Sequence, residues 1–170
     1  MNIEALNSYT RFAALEEFRQ VLERAQMRSL FRRIAARENP LEDFRSLLPA
    51  LQPNRRYLGT IEVPVDRIVG TVDRGADFDG DFRPLTAHLR DRWVSVYLLA
   101  GNGDWPPVRL YKAGDRYFVE DGHNRVSVAR TLGRPTIRAD VWEYPMRPEK
   151  KDRPGNHANF GDLPLADCCE

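Results

Sequence analysis

The chain has 170 residues, of which 42% are hydrophobic and 30% are charged, and its formal net charge is +1. This length and composition predict a soluble globular domain with appendages, and the balanced charge provides no general attraction to DNA or to anionic membranes. No apolar run reaches the roughly 18–20 residues of a membrane span, and the N-terminus lacks the pattern of a signal peptide, so we expect a cytoplasmic protein.

The first region has the spacing of an amphipathic helix. Apolar residues recur every three or four positions at Leu15, Phe18, Leu22 and Ala25, and the apolar stripe continues with a drift at Met27, Leu30, Phe31 and Ile34. We predict a helix over 10–37, with a break near 25–29. Its apolar side is expected to pack on the rest of the chain or on a second copy, which would make a homodimer.

The same helix is locally basic, through Arg28, Arg32, Arg33 and Arg37. Such a run is typical of a solvated face, and it would also suit a phosphate backbone, so DNA is a second possible partner.

Prolines divide the chain into three regions. Pro40 ends the helix, a short helix is predicted over 41–48, and Pro49 and Pro53 mark a linker. From Pro145 onward prolines and mixed charges predict a flexible tail. We therefore expect a helical segment at 1–57, a folded domain at 58–145 and a tail at 146–170.

The middle region alternates between strand and helix patterns. Residues 61–65 predict a strand, and Pro64 implies either an edge of the sheet or an irregular position. An Asp-rich and Gly-rich loop over 73–83 precedes a helix that begins at Pro84 and ends near Gly101. Strands over 108–111 and 116–120 predict a hairpin, followed by a helix over 124–132 that Gly133 ends and a strand over 136–142. This order predicts an α/β (α+β) fold with a small mixed sheet.

The residues with chemical potential lie where the second hairpin strand runs into a helix, through Asp121 and Gly122. A helix N-terminus has free backbone N–H groups and partial positive charge, so phosphate fits there. Gly122 would allow a ligand to approach the backbone, and His123, Asn124 and Arg125 would add donors at the same end. Ser127, one turn further along, is a further candidate donor or a packing residue.

Two of these residues also suggest chemistry beyond binding. Asp121 is a candidate ligand for Mg²⁺ beside a bound phosphate, or else a cap for the helix. His123 is a candidate general base near neutral pH.

The run DGHNRVSVARTLGRPTIRADVWEY, preceded by PVRLYKAGDRYFV and by VPVDRIVG at 63–70, resembles the N-terminal domain of the ParB/sulfiredoxin superfamily. The resemblance covers about 60–144. It implies a small α/β fold in which a Gly-x-x-Arg motif, here Gly122 to Arg125, holds the phosphates of a nucleoside di- or triphosphate. An arginine near Arg74 is implied to reach the nucleotide.

Three branches differ at the motif. ParB proteins have Gly-Glu-Arg-Arg, sulfiredoxins have a catalytic cysteine where this chain has His123, and free serine kinases have Asp-Gly-His-His-Arg. The kinase branch is the most similar, with Asn124 in place of one histidine. Its catalytic glutamate has no direct counterpart after the first strand, where Asp73 is the candidate substitute.

Two loop features have simpler interpretations. Arg83 is a weaker phosphate candidate than Arg74. Asp77, Asp79 and Asp81 have a spacing similar to that of a calcium loop, but Gly80 and the lack of a later glutamate favour a polar loop. The adjacent Cys168 and Cys169 and the scattered His88, His123 and His157 exclude a disulfide framework and a zinc site.

The sequence thus leaves three functions open. The chain is an enzyme for phosphoryl transfer or nucleotide hydrolysis with Mg²⁺, or a nucleotide-responsive module without turnover, or a DNA-associated or nuclease-like protein.

Overall fold

The computed structural model describes residues 3–34, 40–102 and 105–147. It contains a mixed α+β fold, as the sequence predicts. The helices are α1 (Ile3–Ile34), α2 (Arg90–Leu99) and α3 (His123–Thr131). The strands are β1 (Glu42–Asp43), β2 (Arg56–Pro64), β3 (Ile68–Thr71), β4 (Val108–Ala113), β5 (Arg116–Asp121) and β6 (Thr136–Glu143).

The six strands form one sheet in the order β1-β3-β5-β4-β6-β2. The pairs β1–β3, β3–β5 and β4–β6 are parallel, and the pairs β4–β5 and β2–β6 are antiparallel. Pro64 closes β2 at the edge of the sheet, which confirms the first of the two positions predicted from that proline. The hairpin of β4 and β5, the helix α3 and the strand β6 also lie where the sequence predicts them.

Alternate side chains of the strands enter two separate apolar clusters. Val108, Leu110 and Val119 belong to the larger cluster, together with residues of all three helices. Tyr111 and Phe118 belong to a smaller cluster on the opposite face, covered by a 3-10 helix at Phe44–Ala50. Since successive side chains in a strand point to opposite faces, both faces of the sheet are buried.

The N-terminal helix differs from the prediction in three ways. It begins at Ile3 rather than at residue 10, it continues without a break through 25–29, and its described part ends at Ile34. The helix is continuous because residues 3–34 contain neither proline nor glycine. Its buried positions are Ala14, Phe18, Val21 and Ala25, whereas Met27, Leu30 and Phe31 are exposed, so the predicted apolar stripe is wrong in its second half.

Two further helix predictions need correction. The predicted helix over 41–48 is instead β1 followed by the 3-10 helix at Phe44–Ala50, because β1 pairs with β3 and the Asp43 carboxylate accepts a hydrogen bond from Arg45 N at 2.9 Å. The helix predicted from Pro84 begins only at Arg90. Pro84 bridges to Phe78, and Leu85 N donates to Asp77 O at 2.9 Å, so this stretch is tied to the loop before it.

The predicted boundary near 50–58 separates parts that contact each other. β1 belongs to the same sheet as the later strands, and Phe18 and Val21 of α1 lie in the larger cluster. The predicted tail lies almost entirely outside the described residues, as do His157, Cys168 and Cys169. None of the described helices combines the length and the apolar character that crossing a membrane requires.

Candidate ligand-binding site

The candidate site lies where two parallel strands end side by side. Thr71 is the last residue of β3 and pairs with Val119 of β5, so the turns that follow the two strands are neighbours. The turn after β3 carries Asp73 and Arg74, and Asp121 is the last residue of β5. Ligands commonly bind at the carboxyl ends of strands in such sheets. The structure therefore brings together candidates that lie about 50 residues apart in the chain.

The helix α3 begins without a side-chain cap. Gly122 is its N-cap residue, with a left-handed φ of 102°, and no side chain hydrogen bonds to the cap position. The first helical bond runs from Val126 N to Gly122 O at 3.0 Å. The backbone N–H groups of 123–125 consequently have no partner within the helix, and they carry partial positive charge. This end of α3 is electrostatically suited to an anion.

Gly122 has a packing role that the sequence alone does not reveal. A Cβ atom placed on it would lie 2.6 Å from Val108 Cγ1 and 3.1 Å from Arg125 Nε. The space beside this glycine is filled by the protein, so it is not an entrance for a ligand on that side. Positive φ and the close approach of β4 together explain why the residue is glycine.

Arg125 is held by the protein itself. Its Nη1 donates to Pro106 O at 2.6 Å and to Pro107 O at 2.8 Å, and its Nη2 donates to Asp121 Oδ2 at 2.6 Å. Only 13% of its side chain is exposed. In this arrangement the guanidinium ties the segment before β4 to the end of β5, and its role as a phosphate contact stays a prediction.

His123 makes a buried hydrogen bond whose direction can be deduced. Its Nε2 lies 2.7 Å from Thr71 Oγ1, which also accepts hydrogen bonds from the backbone N–H groups of Asp73 at 3.3 Å and Arg74 at 3.0 Å. A hydroxyl has two acceptor lone pairs and one donor, so the Thr71 hydroxyl donates to Nε2. His123 is therefore neutral, with its proton on Nδ1.

The environment of His123 stabilises this neutral form. Burial, followed by the positive charge of Arg74, lowers the pKa of His123 to about 4, although Asp73, Asp121 and Asp77 act in the opposite direction. The ring is stacked on Phe78, with the ring centroids 5.9 Å apart. A histidine of such low basicity is poorly matched to a general base near pH 7. This geometry suits a positioning role, in which His123 fixes the turn that carries Arg74.

Arg74 and Asp73 are the charged groups that this turn presents. Asp73 is exposed. The Arg74 side chain, 34% exposed, pairs through Nε with Asp77 Oδ2 at 2.8 Å. Arg74 is thus about one-third exposed, and its positive charge acts on His123 at the start of α3, where it would favour an anion.

The remaining predicted residues lie deeper. Asn124 is 4% exposed, and its Oδ1 is buried without a hydrogen-bond partner in the described part of the chain. A buried polar atom of this kind usually has a partner, supplied by water or a ligand if not by the protein. Ser127 is buried and its Oγ accepts a hydrogen bond from Trp93 Nε1 at 2.9 Å, which is the packing role considered for it.

The acidic loop is neutralised by arginines within the chain. Asp79 accepts from Arg83 and from the backbone N–H groups of Asp81 and Arg83, and Asp81 accepts from Arg83 at 2.5 Å. These contacts agree with a polar loop rather than a calcium site. Among the described residues, no group of three or more His, Cys, Asp or Glu side chains is placed to hold a metal ion.

Sequence reasoning did not identify Thr71 or Phe78 as site residues. Both contact His123 from more than 40 positions away in the chain. The β-branched Thr71 sits at the end of an apolar run, Ile68-Val69-Gly70, which also marks the strand β3 that was not predicted.

Comparison with known proteins yields one structural likeness. No protein-family model and no curated protein sequence matches the chain. The structure is similar to the crystal structure of sulfiredoxin from Arabidopsis thaliana, with a TM-score of 0.39 and 18% sequence identity, over 51% of this chain and 86% of that one. A likeness at this level carries no argument about the site.

Proposed function

We propose that this chain binds a phosphate-bearing nucleotide at the ends of β3 and β5, and that it acts as a nucleotide-responsive binding module. The observation that carries the proposal is the start of α3, which lacks a side-chain cap and whose first residue, His123, feels the positive charge of the partly exposed Arg74. Free N–H groups and a nearby guanidinium are complementary to a phosphate group. The likeness of the Gly122 to Arg125 motif to that of the ParB/sulfiredoxin superfamily supports a nucleotide as the source of the phosphate.

The chemistry of the site favours binding over turnover. His123, a candidate catalytic base, is neutral and already accepts a hydrogen bond from Thr71. Asp121 is already paired with Arg125. Asp73 is the remaining catalytic candidate, and it lies exposed in the turn. Phosphoryl transfer by the free serine kinase branch would therefore depend on Asp73 alone, which makes the enzyme the second choice.

A magnesium ion fits this arrangement poorly at Asp121. One oxygen of that carboxylate accepts from the Arg125 guanidinium at 2.6 Å, so a divalent cation there would lie close to another positive charge. We derive no step that passes through a metal ion. Mg²⁺ that arrives together with the nucleotide stays a prediction, tested by comparing binding with and without it.

The proposal is tested by thermal unfolding of the full chain with ATP, ADP, CTP and inorganic phosphate, each with and without Mg²⁺. A ligand at 100 times its Kd should stabilise the fold by about 2.7 kcal/mol. We expect Arg74→Ala to raise the Kd of the ligand at least tenfold and so to reduce this stabilisation. A lack of stabilisation by all four ligands would overturn the proposal.

Arg83→Ala is a matched control for Arg74→Ala. Both arginines flank the acidic loop and pair with its aspartates. The positive charge of Arg74 acts on His123 in the candidate site, whereas Arg83 pairs with Asp79 in the loop. We expect Arg83→Ala to keep the ligand affinity of the original chain. Equal losses in both variants would show that the loop, and not a phosphate contact, was disturbed.

Turnover assays separate the module from the enzyme. We expect no release of phosphate from ATP or CTP and no transfer to free serine. Turnover that disappears in Asp73→Asn would establish the enzyme instead. No described contact favours DNA, because Arg28 pairs with Asp81 at 3.7 Å and the side chains of Arg32 and Arg33, and the whole of Arg37, lie outside the described part of the chain.

A further inference from the structure

The helix α1 exposes large apolar side chains on the face that points away from the sheet. Its inner face buries Ala14, Phe18, Val21 and Ala25. Half a turn around the helix lie five exposed apolar residues, which we call the outer stripe: Tyr9 (72% exposed), Phe12 (68%), Met27 (53%), Leu30 (54%) and Phe31 (62%). Single exposed apolar residues are ordinary, but five on one side of a helix mark a contact surface.

The outer stripe is divided into two apolar ends by a charged centre. Tyr9 and Phe12 lie near one end, and Met27, Leu30 and Phe31 near the other. Tyr9 and Met27, like Phe12 and Leu30, are about five helical turns apart, so all lie on one side of the helix. Between them, the Arg19 guanidinium contacts Glu16 at 2.5 Å and Glu23 at 3.0 Å.

This order of apolar, charged and apolar groups is nearly symmetric along the helix, so it stays almost unchanged when the direction of the helix is reversed. We propose that the outer stripe binds the outer stripe of a second copy of this chain, with the two α1 helices antiparallel and a twofold axis near Gln20. Phe12 of one copy then lies against Met27 and Leu30 of the other. Arg19 of each copy comes opposite Glu23 of the other, so the charged centres are complementary as well.

The size of the contact is sufficient for a specific dimer. Ten large apolar side chains, five from each copy, would remove on the order of 1,000 Å² of apolar surface from water, near the lower end for stable interfaces. The charged centre also restricts the register, because a slide of about five residues along the helix would place Phe12 of one copy against Glu23 of the other. A parallel pair would instead place Arg19 beside Arg19.

An apolar cleft beside the outer stripe fits the same arrangement. A cleft of about 430 Å³ lies between α1 and the end of α2, and its lining includes Tyr9, Ala13, Leu98 and Leu132. Phe31 lies on the same flank of α1 as Ala13, since the two are about five turns apart. The twofold axis therefore brings Phe31 of the second copy to this cleft, which is the occupant that we assign to it.

The first test measures the mass of the full chain by sedimentation across a range of micromolar concentrations. We expect twice the 19.6 kDa mass of one chain at the higher concentrations. The double variant Phe12→Ser with Leu30→Ser should weaken dimerisation at least a hundredfold in Kd. Leu48→Ser is the matched control, because Leu48 is an apolar residue with half of its surface exposed on a different element, and it should leave Kd unchanged. A monomer at every concentration would overturn the proposal.

The second test distinguishes the direction of pairing. It uses chains in which Cys168 and Cys169 are replaced by serine, and a short cross-linker for thiols. A mixture of Phe12→Cys and Leu30→Cys chains should cross-link between the two variants, whereas Phe12→Cys alone should give little product. Efficient cross-linking of Phe12→Cys to itself would show a parallel pair and would overturn the antiparallel arrangement.

Discussion

The turn between β5 and α3 makes one kind of contact toward β4 and another toward β3. Toward β4 it is closely packed and fully bonded: Gly122 lies against Val108, and Arg125 holds Pro106, Pro107 and Asp121. Toward β3 it makes one buried hydrogen bond, between His123 and Thr71, and the turn that follows Thr71 carries the exposed Asp73 and the partly exposed Arg74. The comparison shows that one short motif serves as a structural clamp on one side and as a candidate binding surface on the other.

The difference has a chemical origin. On the β4 side, a permanently charged guanidinium meets carbonyl oxygens and a carboxylate, so each group gains a partner and little is left for a ligand. On the β3 side, the neutral imidazole accepts a hydrogen bond from one hydroxyl. The start of α3 has no side-chain cap, so its N–H groups have no partner within the helix. The following predictions test whether the two sides are as different as their contacts suggest.

The largest expected effect is on the β4 side, from Gly122→Ala. The new methyl group would overlap Val108 and would also be forced into positive φ, so we expect the free energy of unfolding to fall by at least about 3 kcal/mol. Gly114→Ala is the control, because Gly114 has φ of 63° but no atom near its Cβ position, and it should lose only about 1 kcal/mol. Similar losses in denaturant titrations of the two variants would contradict the packing role.

The second effect concerns the β3 side and depends on pH. The pKa of His123 is lowered from 6.5 to about 4, so between these values the unfolded chain binds a proton that the folded chain does not. Stability contributed by the neutral ring is present above pH 6.5 and is lost as the pH falls toward 4, by up to about 3 kcal/mol. The free energy of unfolding, measured by denaturant titration at a series of values from pH 7 to pH 4, should fall in this way.

The source of this pH dependence can be identified by comparing two histidines. His123→Gln should flatten the dependence on pH, whereas His88→Gln should keep it, because His88 is largely exposed. An unchanged slope in His123→Gln would assign the dependence to the carboxylates instead of to the buried ring.

The third effect is the loss of the clamp itself. Arg125→Ala removes three hydrogen bonds, one of them to a carboxylate, and leaves carbonyl oxygens without a donor, so we expect a loss of about 2 kcal/mol. Arg67→Ala, which removes an exposed ion pair with Asp115, should change stability by less than about 0.5 kcal/mol. If Arg125→Ala lost as little stability as Arg67→Ala, the hydrogen bonds of Arg125 within the protein would be weak enough for a ligand to replace them.

Much of the fold could be predicted because its information is local. The hairpin, α3 and β6 follow one another with short turns, and Gly114 and Gly133 adopt the positive φ that their places in those turns require. Each of these elements is specified by residues within a few positions of it. The missed strand β3 is only four residues long, and its identity depends on two neighbours, β1 and β5, that lie far away in the chain.

The candidate site could be located from the sequence, but the partners of its side chains could not. A strand that runs through Asp121 and Gly122 into a helix is visible in the residues themselves. The sequence does not reveal that Arg125 reaches the carbonyl oxygen of Pro106, 19 positions away. The sequence also does not reveal that Thr71 is the partner of His123, 52 positions away, because many hydroxyl groups in the chain have the same chemistry.

The residue pattern alone thus determined the order of the central elements, the turns that join them and the place where the strand β5 runs into the N-terminus of α3. The tertiary structure decided which face of α1 is buried, which donors are consumed within the protein, and which protonation state His123 adopts. The physical reason is range: backbone preferences act between neighbouring residues, whereas burial and hydrogen-bond satisfaction depend on segments that only the folded chain brings together.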